Sequence, residues 1–431
     1  MNVSVLGLWH LGSVMAACLA EAGHSVTGFE PDAVAVEALA SGQPPVAEPG
    51  LAALLARGLA AGRLRFVADP AEALRSAEVV CVAFDTPVND DDLADVDQVI
   101  RQVEAIFPFL PHGVLVLSSS QLPVGTLRRL ELAWAAVAAG RRATFACSPE
   151  NLRLGKAIEV FMKPDRVIVG VRDAWSRERV AALFAPITDR LEWMSVESAE
   201  MTKHAINGFL ATSVTFINEI AALCERVGAD AKDVERGLKT ERRIGPQAYL
   251  SPGSAFAGGT LARDVTFLRA LGRDHDTATP LMDGVLTSNT AHRQWARRCL
   301  AAELGSLTAR RVAIWGLTYK PGTDTLRRSS AVELCAWLLE NGADVQVHDP
   351  GAGELPVSLA RATRHADPLA AAAGAAALVV ATEWPVYRTV DHSALAAAMS
   401  GALVLDPNRF LGATIGSDAR FRTISVGRRL A

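Results

Sequence analysis

Val3-Ser4-Val5-Leu6-Gly7-Leu8-Trp9-His10-Leu11-Gly12, near the start of the chain, decides the fold. A short apolar strand runs into a glycine-bearing turn, an alanine-rich helix follows to Gly23, and a second strand reads from Ser25 to Glu30. That is a βαβ unit opening a doubly wound parallel sheet. The dinucleotide fingerprint asks for three glycines: one for the tight turn, one so that backbone can approach a pyrophosphate, and one for helix–strand packing. Gly7 and Gly12 supply the first and third, while Trp9 stands in the second place, where an indole would crowd the pyrophosphate. Glu30 ends the second strand, where an acid accepts the hydroxyls of an adenosine ribose and repels a 2′-phosphate. NAD is therefore expected rather than NADP, with the helix start around His10 and Leu11 supplying amide donors.

Bulk properties narrow the remaining classes. With 431 residues, two or three domains with sizeable cores are expected. Half of the residues are hydrophobic, 6% are aromatic and the net charge is −4, with scattered basic residues, so a nucleic-acid partner is not expected. The six cysteines (18, 81, 147, 224, 299 and 335) form no CxxC pair and no cluster with histidine. That usage suits a reduced cytoplasmic protein without a metal site. The apolar run from Val3 to Ala20 lacks a basic leader and a cleavage signal, so no targeting or membrane segment is read.

From Ser195 to Val227 the pattern predicts one long helix, stopped by Gly228. Ile206, Phe209, Leu210, Val214, Ile217, Ile220, Ala221 and Cys224 recur at three- and four-residue steps as a buried stripe. Beside it runs a polar line of Glu200, Lys203, Asn207 and Asn218. Asparagine is a poor helix former, and nucleotide-binding units flank the helix on both sides, so Lys203 and Asn207 are expected to face a ligand cleft. Further strands are predicted at Glu78–Phe84, Val114–Ser118, Thr144–Cys147 and Arg166–Val171, with loops 85–87, 120–126 and 148–155 leaving their carboxyl ends. A glycine-rich loop spans 251–264 and marks either flexibility or close approach of backbone to a ligand. After a linker near Gly305–Ala309, Val312–Gly316, a helix at Ser330–Glu340 and Asp344–His348 make a second βαβ unit, with later strands at Ala377–Ala381 and Ala402–Leu405. The expected architecture is α/β: a Rossmann-like NAD-binding domain (1–194), a helical central domain (195–305) and a second Rossmann-like domain (306–431).

In their order, these pieces resemble the UDP-glucose/GDP-mannose dehydrogenase family, the NAD-dependent nucleotide-sugar 6-dehydrogenases. The resemblance rests on Gly42, Glu48-Pro49-Gly50-Leu51, Thr86-Pro87, Pro123-Val124-Gly125-Thr126, Pro149-Glu150, Pro164-Asp165-Arg166, Lys203, Asn207 and Asn218-Glu219. It continues through Arg243-Ile244-Gly245, Lys320-Pro321, Asp349-Pro350 and Thr382-Glu383-Trp384. Membership implies a central domain that forms a homodimer and a C-terminal domain that holds a UDP-sugar. It also implies two successive hydride transfers at the sugar's C6, the second through a cysteine thioester that water hydrolyses to a uronate. Carried over by position, Lys203, Asn207, Asp264 and Glu150 are the retained catalytic set. Thr86, Pro87, Gln121, Arg263 and Arg327 join the glycine turn on the cofactor side. Asn151, Leu152, Arg153, Leu154, Tyr249, Ser251, Gly253, Phe256, Gly258 and Lys320 fall on the sugar-nucleotide side, with Arg243 reaching in from the partner subunit.

The departures cluster. The family's nucleophilic cysteine is Thr260 here, the lysine before the aspartate is Arg263, the threonine of the Ser-Thr-Val-Pro loop is Gln121, and the second glutamate of the Pro-Glu loop is Leu154. A threonine hydroxyl needs an activated base where a thiol needs little help. Cys147 reads as a buried strand cysteine whose apolar neighbours raise its pKa. The leading expectation is one hydride transfer between a C6 alcohol and aldehyde. The others are a sugar-nucleotide-binding protein without net redox activity, transient use of NAD in a specialised pathway, and the full four-electron reaction.

Overall fold

A computed structural model describes residues 1–87, 89, 94–149, 152–257 and 259–428. The chain forms two compact units, Met1–Ile206 and Asn207–Ala431.

In the first unit eight strands form one sheet in the order β3-β2-β1-β4-β5-β6-β7-β8. They are β1 (Asn2–Leu6), β2 (Ser25–Phe29), β3 (Leu64–Val67), β4 (Val79–Val82), β5 (Val114–Ser118), β6 (Ala143–Cys147), β7 (Val167–Gly170) and β8 (Leu191–Met194). All pairings are parallel except β6 with β7, which meet antiparallel at Cys147 and Gly170. The helix His10–Glu21 buries every residue from Gly12 to Ala20, because its small side chains let it lie close on the sheet. Strand order reverses between β1 and β4, so the turns after those two strands open the ligand crevice. The short strands β3 and β8 escape the sequence reading: charged residues such as Arg65 and Glu192 interrupt them.

The second unit holds the order β11-β10-β9-β12-β13-β14. These are β9 (Arg311–Trp315), β10 (Asp344–His348), β11 (Thr363–Arg364), β12 (Ala377–Val380), β13 (Leu403–Leu405) and β14 (Arg422–Ile424). Helices preceding this sheet pack onto it within the same unit. Glu225 accepts hydrogen bonds from the Trp295 indole and the Gly427 amide, both at 3.0 Å, and Arg409 pairs with Asp230 at 2.6 Å.

The long helix runs from Val196 to Val227, and Gly228 stops it at φ +80°. One expectation for its buried stripe is corrected. Ala211, Ile217, Ala221 and Cys224 are buried, but Phe209 is 68% exposed. Phe209 lies roughly 100° round the helix from the middle of that stripe. Together with Phe216 and Leu223 it forms an exposed apolar line at seven-residue steps.

Candidate functional site

The first βα turn is built as a dinucleotide site except at one position. Gly7 has φ +83°, and a Cβ there would lie 2.7 Å from the Phe84 Cα; a Cβ on Gly12 would strike the Gly7 carbonyl. Both glycines are thus required by packing. Trp9 is the N-cap of the helix, with φ −68° and ψ −153°, so its backbone needs no glycine. No side chain caps this helix and no acid lies in its first turn, which leaves its amide donors for an anion. Glu30 accepts a hydrogen bond from the Leu8 amide at 3.0 Å, which places its carboxylate at the turn. Leu11 packs against the core. His10 meets Glu48 at 3.0 Å, and Glu48 also accepts from the Gly155 and Ala157 amides at 2.8 and 2.9 Å. Glu48, buried to 7% exposure, therefore ties the dinucleotide turn to the loop beyond β6. Uncapped donors, close-packed glycines and an acid at the strand end fit NAD.

Two residues of the long helix shape the neighbouring loop. Glu200 accepts from the amides of Gly125 and Leu127, capping the helix Thr126–Val137. Burial pushes its carboxyl above the usual range even with those two N–H donors. The His204 ring bonds the Leu122 carbonyl at 2.9 Å, a structural role. From the other side the Thr86 hydroxyl donates to the Gln121 carbonyl at 2.9 Å, and the Pro87 carbonyl accepts from Asp95. Lys203 is half-buried one turn before Asn207 on the same helix. Leu152 packs into the core, Arg153 is exposed and Leu154 is half-buried. Glu150, Asn151 and Gly258 lie outside the described residues.

In the second unit Asn207 donates through Nδ2 to Asp264, whose side chain is fully buried. Thr260 opens the helix Thr260–Asp274 and is exposed, with Arg263 half-buried in its first turn. In the glycine-rich loop before it, side chains from elsewhere in the unit hold the backbone of Gly253, Ser254 and Phe256. Asn218 accepts from the Gly253 amide at 3.0 Å, and the His292 ring donates to the Gly253 carbonyl at 2.8 Å. Asn408 accepts from the Ser254 amide at 2.7 Å, while Asn289 brackets Phe256, accepting from its amide at 3.0 Å and donating to its carbonyl at 2.8 Å. Gly253, expected as a substrate contact, has its backbone committed to these partners. Its missing Cβ makes room for Asn408, whose Oδ1 would lie 2.0 Å away. Ser251 is exposed and receives a 2.7 Å hydrogen bond from Lys232. Asn289, His292, Asn408 and Lys232 carry no motif; a buried asparagine inside a helix is the one sequence signal Asn289 gives.

Beside this loop lies an open cleft. Tyr249, Phe256, Thr318, Tyr319, Lys320 and Thr382 line it, and Lys320 is the one charged side chain among its described lining residues. Two phenols, several hydroxyls and one ammonium suit a diphosphate. Burial raises the Tyr319 hydroxyl pKa, with the neighbouring Tyr249 adding to it, so the Tyr319 hydroxyl keeps its proton as a donor. Arg327 is exposed in the same unit. Arg243 is also exposed, 2.9 Å from Glu241.

This second Rossmann-like sheet repeats the first turn with a different outcome. Gly316, at φ +94°, follows β9 as Gly7 follows β1, and Asp349 ends its strand as Glu30 does. Yet Asp349 accepts from the Leu317, Thr318, Gly351 and Ala352 amides, the Thr318 hydroxyl and the Trp384 indole. Ser329 caps the following helix. Acid and helix start are both engaged, so this turn presents side chains to the cleft rather than binding a dinucleotide.

No thiol is poised for attack. All six cysteines are buried. Burial pushes Cys18, Cys81, Cys299 and Cys335 up to about 12 and raises Cys147 and Cys224 as well. Among the described residues no cluster of His, Cys, Asp and Glu could hold a metal.

Comparison with known proteins agrees with this geometry. Three family models match in sequence: the UDP-glucose/GDP-mannose dehydrogenase NAD-binding domain at residues 1–188, the central domain at 197–291 and the UDP-binding domain at 313–413. A UDP-glucose 6-dehydrogenase of Pseudomonas aeruginosa is 35% identical over 443 residues, covering 99% of this chain and 98% of that protein. One of Rhizobium meliloti is 35% identical over 436 residues, covering 99% and 100%. The structure of a UDP-glucose dehydrogenase from the archaeon Pyrobaculum islandicum superposes with TM-score 0.85 at 33% identity, covering 91% of this chain and 92% of that one. The chain belongs to the UDP-glucose/GDP-mannose dehydrogenase family, the NAD-dependent nucleotide-sugar dehydrogenases.

Proposed function

We propose that this chain carries out a single hydride transfer at C6 of a UDP-sugar, interconverting alcohol and aldehyde. The observation that carries this reading is Thr260, exposed at the place of the family's nucleophile, in a chain whose six thiols are all buried. Bound NAD supplies the hydride acceptor. Lys203 stabilises the developing C6 alkoxide, and Asp264, oriented by Asn207, holds the water that takes the hydroxyl proton. Oxidation then stops at the aldehyde, because neither Thr260 nor Leu154 supplies what the thioester route needs: a nucleophile, and a carboxylate to assist hydrolysis. The sugar nucleotide occupies the cleft of Tyr249, Tyr319 and Lys320.

The test is the number of NADH formed per UDP-sugar consumed, with the product mass read from the same tube. One NADH with an aldehyde or its hydrate supports the reading. Two NADH with a uronate overturns it, and no NADH with any sugar favours a redox-neutral or non-catalytic role. We also infer a cytosolic homodimer through the exposed line of Phe209, Phe216 and Leu223, since an unpartnered apolar seam on a long helix is the usual mark of an interface. Phe216→Glu is expected to yield monomers by sedimentation; an unchanged dimer would place the interface elsewhere.

A further inference from the structure

Trp9 is the one exposed tryptophan of eight, at 53%, and it stands where the dinucleotide turn reserves a glycine. Its backbone is held on every side. The Leu8 amide is bound by Glu30, the His10 ring by Glu48, and the Trp9 carbonyl accepts from both the Ser13 amide and hydroxyl at 3.0 and 2.7 Å. The indole thus hangs from a fixed point, free only about its own side-chain torsions. At this exposure the indole is not packed into the core, and it stands beside an uncapped helix start that draws an anion.

We propose that Trp9 is a retention residue for NAD: its indole covers the bound cofactor and slows its release. The physical reason is area. An aromatic side chain that loses water on one face to a bound ligand buries on the order of 100 Å². Even half of that area, at ~25 cal/mol per Å², slows dissociation roughly ten-fold. The proposal rests on NAD binding by the first unit, and is independent of whether oxidation stops at the aldehyde. During turnover it implies a burst of one NADH per subunit followed by a slow phase set by cofactor release.

The test needs no sugar. Full-length protein loaded with NADH is chased with excess NAD, and the loss of bound-NADH fluorescence gives the off-rate for wild type, Trp9→Phe and Trp9→Gly. About ten-fold faster release in Trp9→Gly, with Trp9→Phe between, supports retention. An unchanged or slower off-rate in Trp9→Gly overturns it, the slower case marking the indole as an obstruction. Should Trp9→Gly fail to fold, Trp9→Phe carries the test, and release no faster than wild type overturns the proposal. Cofactor surviving gel filtration of the wild type, and lost from the variants, is the second readout.

Discussion

Replacing Asn289 with alanine isolates the clamp on the glycine-rich loop. Asn289 is 6% exposed and binds both the amide and carbonyl of Phe256, at 3.0 and 2.8 Å. Alanine leaves two half-buried backbone groups without those partners, at a cost of about 1–1.5 kcal/mol each, so about 2–3 kcal/mol in all. Because the loop can open without unfolding the unit, the loss should appear locally. Hydrogen exchange at the Phe256 amide should speed up roughly 30- to 160-fold. Exchange measured by mass spectrometry on a peptide spanning 250–262 reads this directly. Thr287→Ala is the control, since its exposed hydroxyl bonds only its own helix at the Asp283 carbonyl. UDP affinity should fall with the clamp, because Phe256 lines the cleft. If exchange in Asn289→Ala stays within about three-fold of wild type, Asn218, His292 and Asn408 hold the loop without Asn289 and the additive reasoning fails.

Glu48→Gln keeps the shape but aims an amide donor at backbone N–H groups; with three partners at 2.8–3.0 Å disturbed, a loss of about 2 kcal/mol and a melting point lower by about 4–8 °C are expected. A thermal scan with and without NAD checks it. Folded wild-type protein should react with no thiol reagent, whereas Thr260→Cys should gain one fast-reacting group, its pKa lowered at the helix start; mass spectrometry counts the adducts, and a labelled native cysteine would contradict the burial argument. Burial alone would raise the Asp349 carboxyl, but the Thr318, Leu317 and Gly351 amides outweigh it and hold the pKa below its ordinary value. A lowered folded pKa stabilises above the unfolded value near 3.8 and loses that contribution as pH falls through the folded one. Asp349→Asn should therefore be less stable than wild type near pH 7, with the gap closing below about pH 4 in denaturant titrations.

The sequence makes one kind of feature legible and hides another. Gly7, Gly12 and Glu30 are readable because a local βαβ unit dictates their spacing, and Ser330–Glu340 because its apolar period is unbroken. The line of Glu200, Lys203, Asn207 and Asn218 is visible as a face, but not its duties: Glu200 caps a helix that starts at Thr126, and Asn218 holds Gly253. Those partners are far along the chain, and no local pattern encodes them. The partners of the glycine-rich loop are hidden for the same reason. Gly253 reads as freedom or ligand approach, and nothing near it in sequence tells that Asn408 closes on it and on Ser254. Phe209 misleads, since an apolar residue beside a buried stripe reads as core whether it faces the interior or a second chain.

The two Rossmann-like turns explain why a chain with two such sheets has one dinucleotide site. Both place a glycine after the first strand and an acid after the second, and in both the glycine amide bonds the last residue of the neighbouring strand, Phe29 at 3.0 Å and His348 at 2.8 Å. The difference lies in how the acid is used. Asp349 takes four amides, a hydroxyl and an indole. A ribose reaching it would have to displace charge-assisted bonds worth about 1.5–3 kcal/mol each and return no more than two of its own. Glu30 accepts one amide hydrogen bond, from Leu8 at 3.0 Å, so two ribose hydroxyls can be added with little displacement. Saturation of Asp349 also fixes Thr318, whose carbonyl accepts from Thr382 at 2.7 Å, and thereby sets Tyr319 and Lys320 at the cleft. The same turn thus serves as a binding element in one sheet and as a rigid mount in the other, and the count of donors on one carboxylate decides which.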